Sequence, residues 1–351
     1  MVVAAQPTID WQRNYGGSLQ DRGYSIAPTS DGGYIVLGET RSSDVMVVGF
    51  HGGVTYDLWV LKLDDAGVIE WQRCLGGSGP ETAGEIAQTL DGGYILVGST
   101  ASLDGDVGES LGGSDIWLVR LSASGDLLWE QSFGGSDVDS GERVAVRQDG
   151  TFLVGAFTFS MDGDAGDNHG ASDFWLGHIS EDGILLQSRC YGGSRFDHLR
   201  DMYFGADGGL VMGGVTNSND GDVTDNPEEW NDAWVVYLAN GWDITWQTAL
   251  GGLGDDQVRG LLRTPGDTIF AVASTESQDG DITDPLGDVD YWIVKLGPDG
   301  SMLDQRSLGG SGQDVPGAIV PSASLNMLYV SGRSSSEDGM VSAPHGATDC
   351  W

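Results

Sequence analysis

Basic residues are scarce in this chain of 351 residues, and lysine is nearly missing. Lys62 and Lys295 are the two lysines beside 14 arginines, against 53 aspartates and glutamates, so the formal net charge is −37. A protein that follows the phosphates of a nucleic acid needs a positively charged surface, and an anionic membrane surface attracts the same charge. The composition therefore predicts no nucleic-acid partner and no attraction to an anionic membrane.

Long apolar runs and paired cysteines are also lacking. No stretch approaches the roughly 18 apolar residues of a membrane span, so we expect no membrane insertion. The opening residues MVVAAQP are too short for a secretory signal, so export must be argued from other features. Cys74, Cys190 and Cys350 have no metal-binding spacing, and we expect them to be buried free thiols.

Glycine, in contrast, is abundant and periodic. A Gly-Gly pair opens six units, which begin near residues 16, 76, 134, 192, 251 and 309. A second landmark is the motif Asp-x-Trp, which recurs once per unit and ends at Trp59, Trp117, Trp175, Trp234, Trp292 and Trp351. Because six units fill residues 1–351, the repeat predicts one domain that is built from six equivalent parts.

Each unit has the pattern of four short strands. In the first unit, an alternating segment (Tyr24 to Thr29) leads to a tight Asp-Gly-Gly turn and then to the apolar run YIVLGET. A long polar loop follows, and then the segment DLWVLKLD, a short turn at Gly67 and the segment VIEWQRCLGG. Helical periodicity is absent. The sequence therefore predicts an all-β, six-bladed β-propeller with four antiparallel strands per blade.

The two ends of the chain predict how the ring closes. Residues 1–15 match the end of a unit, because Trp11 corresponds to Trp71, and Met1 to Val3 would continue a third strand. We expect the N-terminal strand to join the last blade and close the ring. The alternative is an open array or a fragment of a longer repeat protein, in which neighbouring molecules complete the last blade by strand addition and associate through this closure seam.

The repeated motifs resemble a known family. The patterns GGS-x-x-D, D-G-G-Y-I-V-x-G-x-T, S-x-D-G-D-V and D-x-W-V-x-K-L-D are similar to those of the bacterial secreted β-propeller repeats sometimes called SBBP. The resemblance covers essentially the whole chain. It implies a propeller fold and a secreted, extracellular or cell-surface location, and it assigns no activity.

One acidic position recurs in all six units, five residues after the first glycine. Its members are Asp21, Glu81, Asp139, Asp197, Asp256 and Asp314. Strand connectivity places them on the same face as the long loops. Either these acids form turns and cap backbone N–H groups at the start of the innermost strands, or they form a ring near the mouth of the central channel that binds a cation or a polar ligand.

The long loops carry a second acidic pattern in four units. The motif is Asp-Gly-Asp, two further residues and a third acid, at Asp104, Asp106 and Glu109; Asp162, Asp164 and Asp167; Asp220, Asp222 and Asp225; and Asp279, Asp281 and Asp284. Calcium takes six to eight oxygen ligands, and a glycine allows a tight turn that aims several of them inward. The pattern therefore predicts four calcium sites, with solvated acids at Asp-Gly turns as the alternative.

Tryptophan separates the expected core from a candidate site. Ten of the 12 tryptophans occupy repeated strand positions, where we expect them to pack between blades. Trp230 lies in a long loop on the acidic face and is a candidate for stacking on a sugar ring, although a rim residue that packs against a neighbouring loop would also fit. Trp242 lies on the opposite, short-turn face.

The chemistry-bearing motifs leave three functional hypotheses open. The six similar units lack a nucleophilic triad and a zinc-protease motif, which favours a non-enzymatic binding or structural module that presents its loop face to a glycan or a protein. A second hypothesis is a polysaccharide-active enzyme that uses paired carboxylates at the channel mouth. A third is a self-assembling surface or fibre subunit that associates through its closure seam.

Overall fold

The computed structural model describes residues 10–224, 226, 230–239, 242–322, 327–342, 346 and 348–351. These residues contain 23 β-strands and one turn of 3-10 helix, Gly163–Ala165. The strands form six antiparallel sheets, and consecutive strands are neighbours in each sheet. The predicted all-β, six-bladed propeller is confirmed. No helix in the described residues has the length and apolarity to cross a membrane.

The blades follow the sequence repeat. Blade one contains β1 (Asp21–Pro28), β2 (Tyr34–Thr40), β3 (Asp57–Leu63) and β4 (Ile69–Leu75). Blade two contains β5 (Glu81–Gln88), β6 (Tyr94–Thr100), β7 (Asp115–Leu121) and β8 (Leu127–Phe133). Blade three contains β9 (Asp139–Val146), β10 (Phe152–Thr158), β11 (Asp173–Ile179) and β12 (Leu185–Tyr191). Blade four contains β13 (Asp197–Phe204), β14 (Leu210–Thr216), β15 (Asp232–Leu238) and β16 (Ile244–Leu250). Blade five contains β17 (Asp256–Arg263), β18 (Ile269–Thr275), β19 (Asp290–Leu296) and β20 (Met302–Leu308). Blade six contains β21 (Asp314–Pro321), β22 (Leu328–Ser334) and β23 (Asp349–Cys350).

The hydrophobic core lies between neighbouring blades. One cluster joins side chains of blades one and two around Trp117, and a second joins blades two and three around Trp175. Trp234 and Trp292 are the buried centres of the next two clusters. These contacts confirm the predicted packing between blades for these four tryptophans, because each sheet buries its apolar face against the next sheet.

The fourth-strand tryptophans also connect blades. The indole N–H of Trp129 donates to the carbonyl of Glu181 at 3.1 Å, and that of Trp246 donates to the carbonyl of Pro298 at 2.9 Å. In each case the acceptor belongs to the outer turn of the following blade. Trp11 makes the equivalent bond to Asp65, also at 3.1 Å, so residues near Trp11 occupy the place of a fourth strand against blade one.

The seam between blades six and one differs from the other five junctions. The innermost strands of neighbouring blades pack together from β1 through to β21, whereas β21 and β1 have at most sparse contact. Blade six has three strands among the described residues. Met1 to Val3, which the sequence predicts to continue its third strand, lie outside the described residues.

The cysteines are free, as predicted. Cys74 and Cys190 are buried, and burial raises the pKa of both thiols. Cys350 is exposed, which corrects the prediction of three buried thiols. The reason is its place on β23, at the edge of the three-stranded sixth blade, where no fourth strand covers it among the described residues.

Candidate functional site

The recurrent acids begin the innermost strands, and their carboxylates bind the loops of their own blade. Asp139 accepts a hydrogen bond from the backbone N–H of Gly135 at 2.8 Å, from the hydroxyl of Ser160 at 2.9 Å, and from that of Thr158. Burial raises the pKa of Asp139, and these hydrogen bonds oppose the rise. This is the geometry of the capping alternative.

The other five units repeat this arrangement. A backbone N–H of the second glycine donates to each of the remaining acids, which are Asp21, Glu81, Asp197, Asp256 and Asp314. All of these carboxylates except that of Asp21 are buried. A ligand-binding role for the six acids therefore gains no support from their geometry.

The first acid of each Asp-Gly-Asp loop also has a structural partner. The carboxylate accepts from the backbone N–H that follows the Gly-Gly pair, at 2.7 to 2.9 Å, in Asp104, Asp162, Asp220 and Asp279. Asp44 and Asp338 make the same bond in units one and six. The repeated bond joins the Gly-Gly loop of each blade to its Asp-Gly-Asp loop.

The second acid strengthens this loop junction. The N–H of Asp106 donates to the carbonyl of Gly76 at 2.8 Å, and its carboxylate accepts from the N–H of Gly76 at 3.4 Å. Equivalent bonds are made by Asp164, Asp222 and Asp281. Two of the three proposed calcium ligands in each loop thus already accept hydrogen bonds from backbone N–H groups.

The third acids do not complete a metal site in the described residues. Glu109, Asp167 and Asp284 are exposed. Asp167 and Asp284 accept backbone N–H groups of a fourth strand, and Asp225 lies outside the described residues. Across the described part of the chain, no three His, Cys, Asp or Glu side chains form a group that could hold a metal ion. Calcium binding at these loops stays a prediction.

Trp230 lies where the sequence predicts it, in the loop before β15, and is 48% exposed. Its backbone carbonyl accepts from the side-chain amide of Asn226 at 3.1 Å. Sugar stacking by Trp230 stays a prediction.

A different feature emerges in the middle of the innermost strands. Each of these six strands contains a β-bulge, which is one extra residue that has no partner on the neighbouring strand. The unpaired residues are Tyr24, the pair Gly84 and Glu85 opposite a single partner, Glu142, Arg200, Arg259 and Gly317. A bulge frees a side chain from the regular alternation of a strand and re-aims it. Because the innermost strands surround the central axis, the six bulges meet around the channel.

Charged side chains at the bulges form a channel network. Arg143 Nε donates to Asp201 Oδ1 at 2.6 Å, and Arg200 Nη1 lies 3.7 Å from Glu142 Oε1. Both contacts link blade three to blade four. Glu142 also interacts electrostatically with Arg259, two blades away, so the network extends from blade three to blade five. Burial raises the pKa of Glu142, and the arginines oppose the rise.

Some residues at a bulge, or just after one, connect one blade to the next. Glu85 Oε2 accepts the N–H of Val144 at 2.9 Å, and Asp201 Oδ2 accepts that of Leu261 at 2.6 Å. Ser25 makes the equivalent bond to Ile86 at 3.4 Å. These side chains satisfy backbone N–H groups that lie beside a bulge in the following blade. Burial raises the pKa of Glu85 to about 7.

An aromatic cluster borders this network between blades three and four. The ring of His198 stacks on Phe157 with centroids 4.4 Å apart, and Phe159 packs edge-on at 5.4 Å. Phe196 covers Phe159 at 6.0 Å and is 48% exposed. Burial, with the nearby Arg200, lowers the pKa of His198 to about 4, so the ring is neutral. Since Phe159 follows β10 and Phe196 precedes β13, the cluster lies at the loop-rich end of the channel.

Sequence reasoning missed this site. The signal is the third residue after the recurrent acid, where the six units carry Tyr24, Gly84, Glu142, Arg200, Arg259 and Gly317. The residue at this offset varies in size and in charge from unit to unit. The difference gains meaning once pairing shows that this position is bulged in the innermost strands.

Comparison with known proteins supports the fold and leaves the family open. No family model matches the chain, so the resemblance to secreted propeller repeats is not confirmed as membership. The regulatory protein FlaEY of Caulobacter vibrioides is 25% identical over 350 residues, which cover 90% of this chain and 36% of that protein. The chain thus spans about a third of the length of this relative.

Two solved structures have a similar fold. The α-L-arabinofuranosidase Arb93A of Fusarium graminearum, in complex with an iminosugar inhibitor, matches with a TM-score of 0.51 at 10% identity, covering 89% of this chain and 88% of that chain. A protein of unknown function from Dyadobacter fermentans matches with a TM-score of 0.50 at 12% identity, covering 95% and 94%. At these identities the likeness shows the propeller fold alone.

Proposed function

We propose that this protein is a non-enzymatic binding module that holds a glycan at the loop-rich mouth of its central channel. The observation that carries the proposal is the half-exposed ring of Phe196, which belongs to an aromatic cluster beside the charged channel network. The guanidinium of Arg200 lies 6.0 Å from the ring centroid of Phe157 in that cluster.

A sugar ring needs two kinds of contact, and both are present. Its C–H face packs against an aromatic ring, and its hydroxyls pair with planar groups that donate or accept hydrogen bonds. Phe196 and Phe159 offer the apolar surface, while Arg200 and Glu142 offer donors and acceptors. Binding sites commonly combine an apolar wall with a few converging polar groups.

The second candidate is a polysaccharide-active enzyme, and one observation favours it. A carboxyl group whose pKa is raised to about 7 can act as a general acid near neutral pH, and Glu142 in the next blade supplies a second carboxylate. However, Glu85 holds the N–H of Val144 in the way that Ser25 and Asp201 hold equivalent groups. This shared structural role accounts for its position, so we favour the binding module.

The location and the other partners follow from the same proposal. A glycan ligand fits the extracellular or cell-surface location that the repeat resemblance implies, and export remains part of the proposal. Binding of a protein at the same face, and self-association through the closure seam, stay predictions.

The test is a glycan microarray probed with the intact protein, followed by calorimetric titration of the strongest oligosaccharide. We expect Phe196→Ala to lower the affinity about fivefold, because a lost stacking contact costs about 1 kcal/mol. Trp230→Ala is the matched comparison, since it removes another half-exposed aromatic ring from the loop-rich face. It tests the sugar stacking that the sequence predicts for Trp230, and if the channel mouth is the binding site this variant binds as the wild type does.

Three outcomes would contradict the proposal. If the protein binds no glycan on the array, the proposal is wrong. If Trp230→Ala loses binding and Phe196→Ala retains it, the binding site lies in the loop before β15. Release of new reducing ends from the bound oligosaccharide, abolished by Glu85→Gln, would replace the binding module with the enzyme.

A further inference from the structure

Arg259 interacts electrostatically with Arg200 of the preceding blade and with Arg333 of the following blade. Arg200 and Arg259 occupy the bulges of β13 and β17, and Arg333 lies on β22 of blade six. The positive charges of Arg200 and Arg333 repel that of Arg259. Burial lowers the pKa of Arg259, and Arg200 and Arg333 lower it further. The bulges thus place Arg200 and Arg259 on neighbouring innermost strands, and Arg333 is close enough to act on the charge of Arg259.

The carboxylate of Glu142 acts on Arg259, and Arg200 and Arg143 share it. Asp201 is engaged by Arg143 and by the N–H of Leu261, and Glu142 lies near Arg200. Arg259 Nε donates to the hydroxyl of Ser274 at 3.3 Å. Among the described residues, no ion pair joins Arg259 or Arg333 to a carboxylate.

This surplus of positive charge is unexpected for the chain as a whole. Acidic residues outnumber basic ones by more than three to one, and other half-buried or buried basic side chains, such as Arg120, Arg263 and Lys62, have carboxylate partners. A partly buried cation that has no carboxylate in ion-pair contact is unfavourable, so such groups are normally paired. Arg259 is thus placed to gain an anionic partner from outside the chain.

We infer that the bound glycan is acidic, and that Arg259, with Arg200 and Arg333, binds its anionic group. This inference rests on the proposed function, and it adds the class of ligand. A guanidinium presents a planar fork of N–H donors that matches the two oxygens of a carboxylate or a sulfate. The aromatic cluster beside Arg200 would then hold the sugar ring while the arginines hold its charge.

The experiment measures thermal stabilisation of the intact protein at constant ionic strength. Glucuronate and glucose differ only at C6, so they form a matched pair, and glucose 6-sulfate separates a sulfate from a carboxylate. We expect glucuronate or the sulfated sugar to raise the Tm of the wild type more than glucose does, because a ligand that binds only the folded state stabilises it.

Variants locate the effect. Arg259→Gln should lose at least three quarters of the shift caused by the anionic sugar, and Arg259→Lys, which keeps the charge without the planar fork, should lose part of it. Arg306→Gln is the control, since Arg306 is an exposed arginine on the outer strand β20 and should retain the full shift. Circular dichroism of each variant without sugar establishes that it is folded.

The possible failures are distinguishable. Equal stabilisation by glucuronate, glucose 6-sulfate and glucose would overturn the acidic class while leaving glycan binding intact. An unchanged response in Arg259→Gln would overturn the assignment to these arginines. Sodium sulfate that stabilises as strongly as the anionic sugars would show a simple anion site, which also contradicts the inference. The proposed function itself fails only in the separate Phe196→Ala and array experiment.

Discussion

Glu85 shows how one side chain can have both a structural and an electrostatic effect. Its carboxylate connects blade two to blade three through the N–H of Val144, and it is half-buried in the channel near Arg143 and Asp201. Burial disfavours its charged form, Asp201 adds to this effect, and Arg143 opposes it. Burial prevails, so the pKa of Glu85 is raised to about 7.

This shift predicts a pH dependence of stability. The folded state binds a proton at Glu85 more tightly than the unfolded chain, whose glutamates have a pKa of about 4.3. The stabilisation is therefore complete below about pH 4 and is lost as the pH rises through about 7. We expect Tm to rise when the pH is lowered from about 8 to about 5, measured by differential scanning calorimetry.

Glu85→Gln should flatten this dependence, because the amide keeps an acceptor for Val144 but does not titrate. Asp304→Asn, at an exposed position on an outer strand, should leave the slope as it is. Burial raises the pKa of Asp173 to about 6, so the Tm of Glu85→Gln should still rise somewhat as the pH is lowered. A Glu85→Gln slope identical to that of the wild type would show that Glu85 does not titrate in this range.

At the scale of elements, the junction between the Gly-Gly loop and the Asp-Gly-Asp loop is the recurring unit. Gly134 has a φ of +133°, and a Cβ there would collide with the carboxylate of Asp139. Glycine is therefore required where the loop turns back over the acid. The hydroxyl of Ser160 then bridges the two loops, because it donates to Asp139 and accepts the N–H of Asp137 at 2.9 Å.

The buried hydroxyl of Ser160 predicts a measurable contribution. Ser160→Ala should lower the free energy of unfolding by about 1–3 kcal/mol, because the Asp139 carboxylate and the Asp137 N–H each lose a partner. Ser301→Ala removes a hydroxyl that bonds Asp299 in an exposed turn and should change stability by less than about 0.5 kcal/mol. Urea unfolding measures both, and equal effects would show that the loop junction is not a stabilising element.

Strands and turns could be predicted from sequence, but bulges could not. The Asp-Gly-Gly turns and the alternation of apolar residues place β2 and β3 without knowledge of the fold. A bulge is a mismatch between two strands, so it becomes visible only when the pairing of Gly23 with Gly38 and of Ser25 with Leu37 leaves Tyr24 unpaired. Glu142 and Arg200 of the candidate site are residues of this kind.

At the scale of the whole molecule, the net charge of −37 is partly organised by the repeat. The recurrent acids and the first two acids of each Asp-Gly-Asp loop bind backbone N–H groups and hydroxyls, so they contribute to the loop-rich face without forming a metal group among the described residues. Mutual repulsion of these charges opposes the folded state, and a bound cation would relieve it.

Calcium binding can be tested on the whole protein. If the Asp-Gly-Asp loops bind calcium as the sequence predicts, EDTA should lower Tm and added calcium should restore it. Magnesium at the same ionic strength is the control, since general screening would make the two ions equivalent. An identical Tm with EDTA and with calcium in differential scanning calorimetry would show that hydrogen bonds alone hold these loops.

The sequence by itself determined the architecture, because six copies of one strand pattern can bury their apolar faces only against one another. It also determined the positions of the recurrent acids and of the core tryptophans, since both follow from local turn chemistry and from alternation along a strand. Only the tertiary structure decided that Glu142, Arg200 and Arg259 share a channel with an aromatic cluster at its mouth. These residues are about 60 positions apart in the chain, and their proximity depends on the ring and on a bulge in each innermost strand.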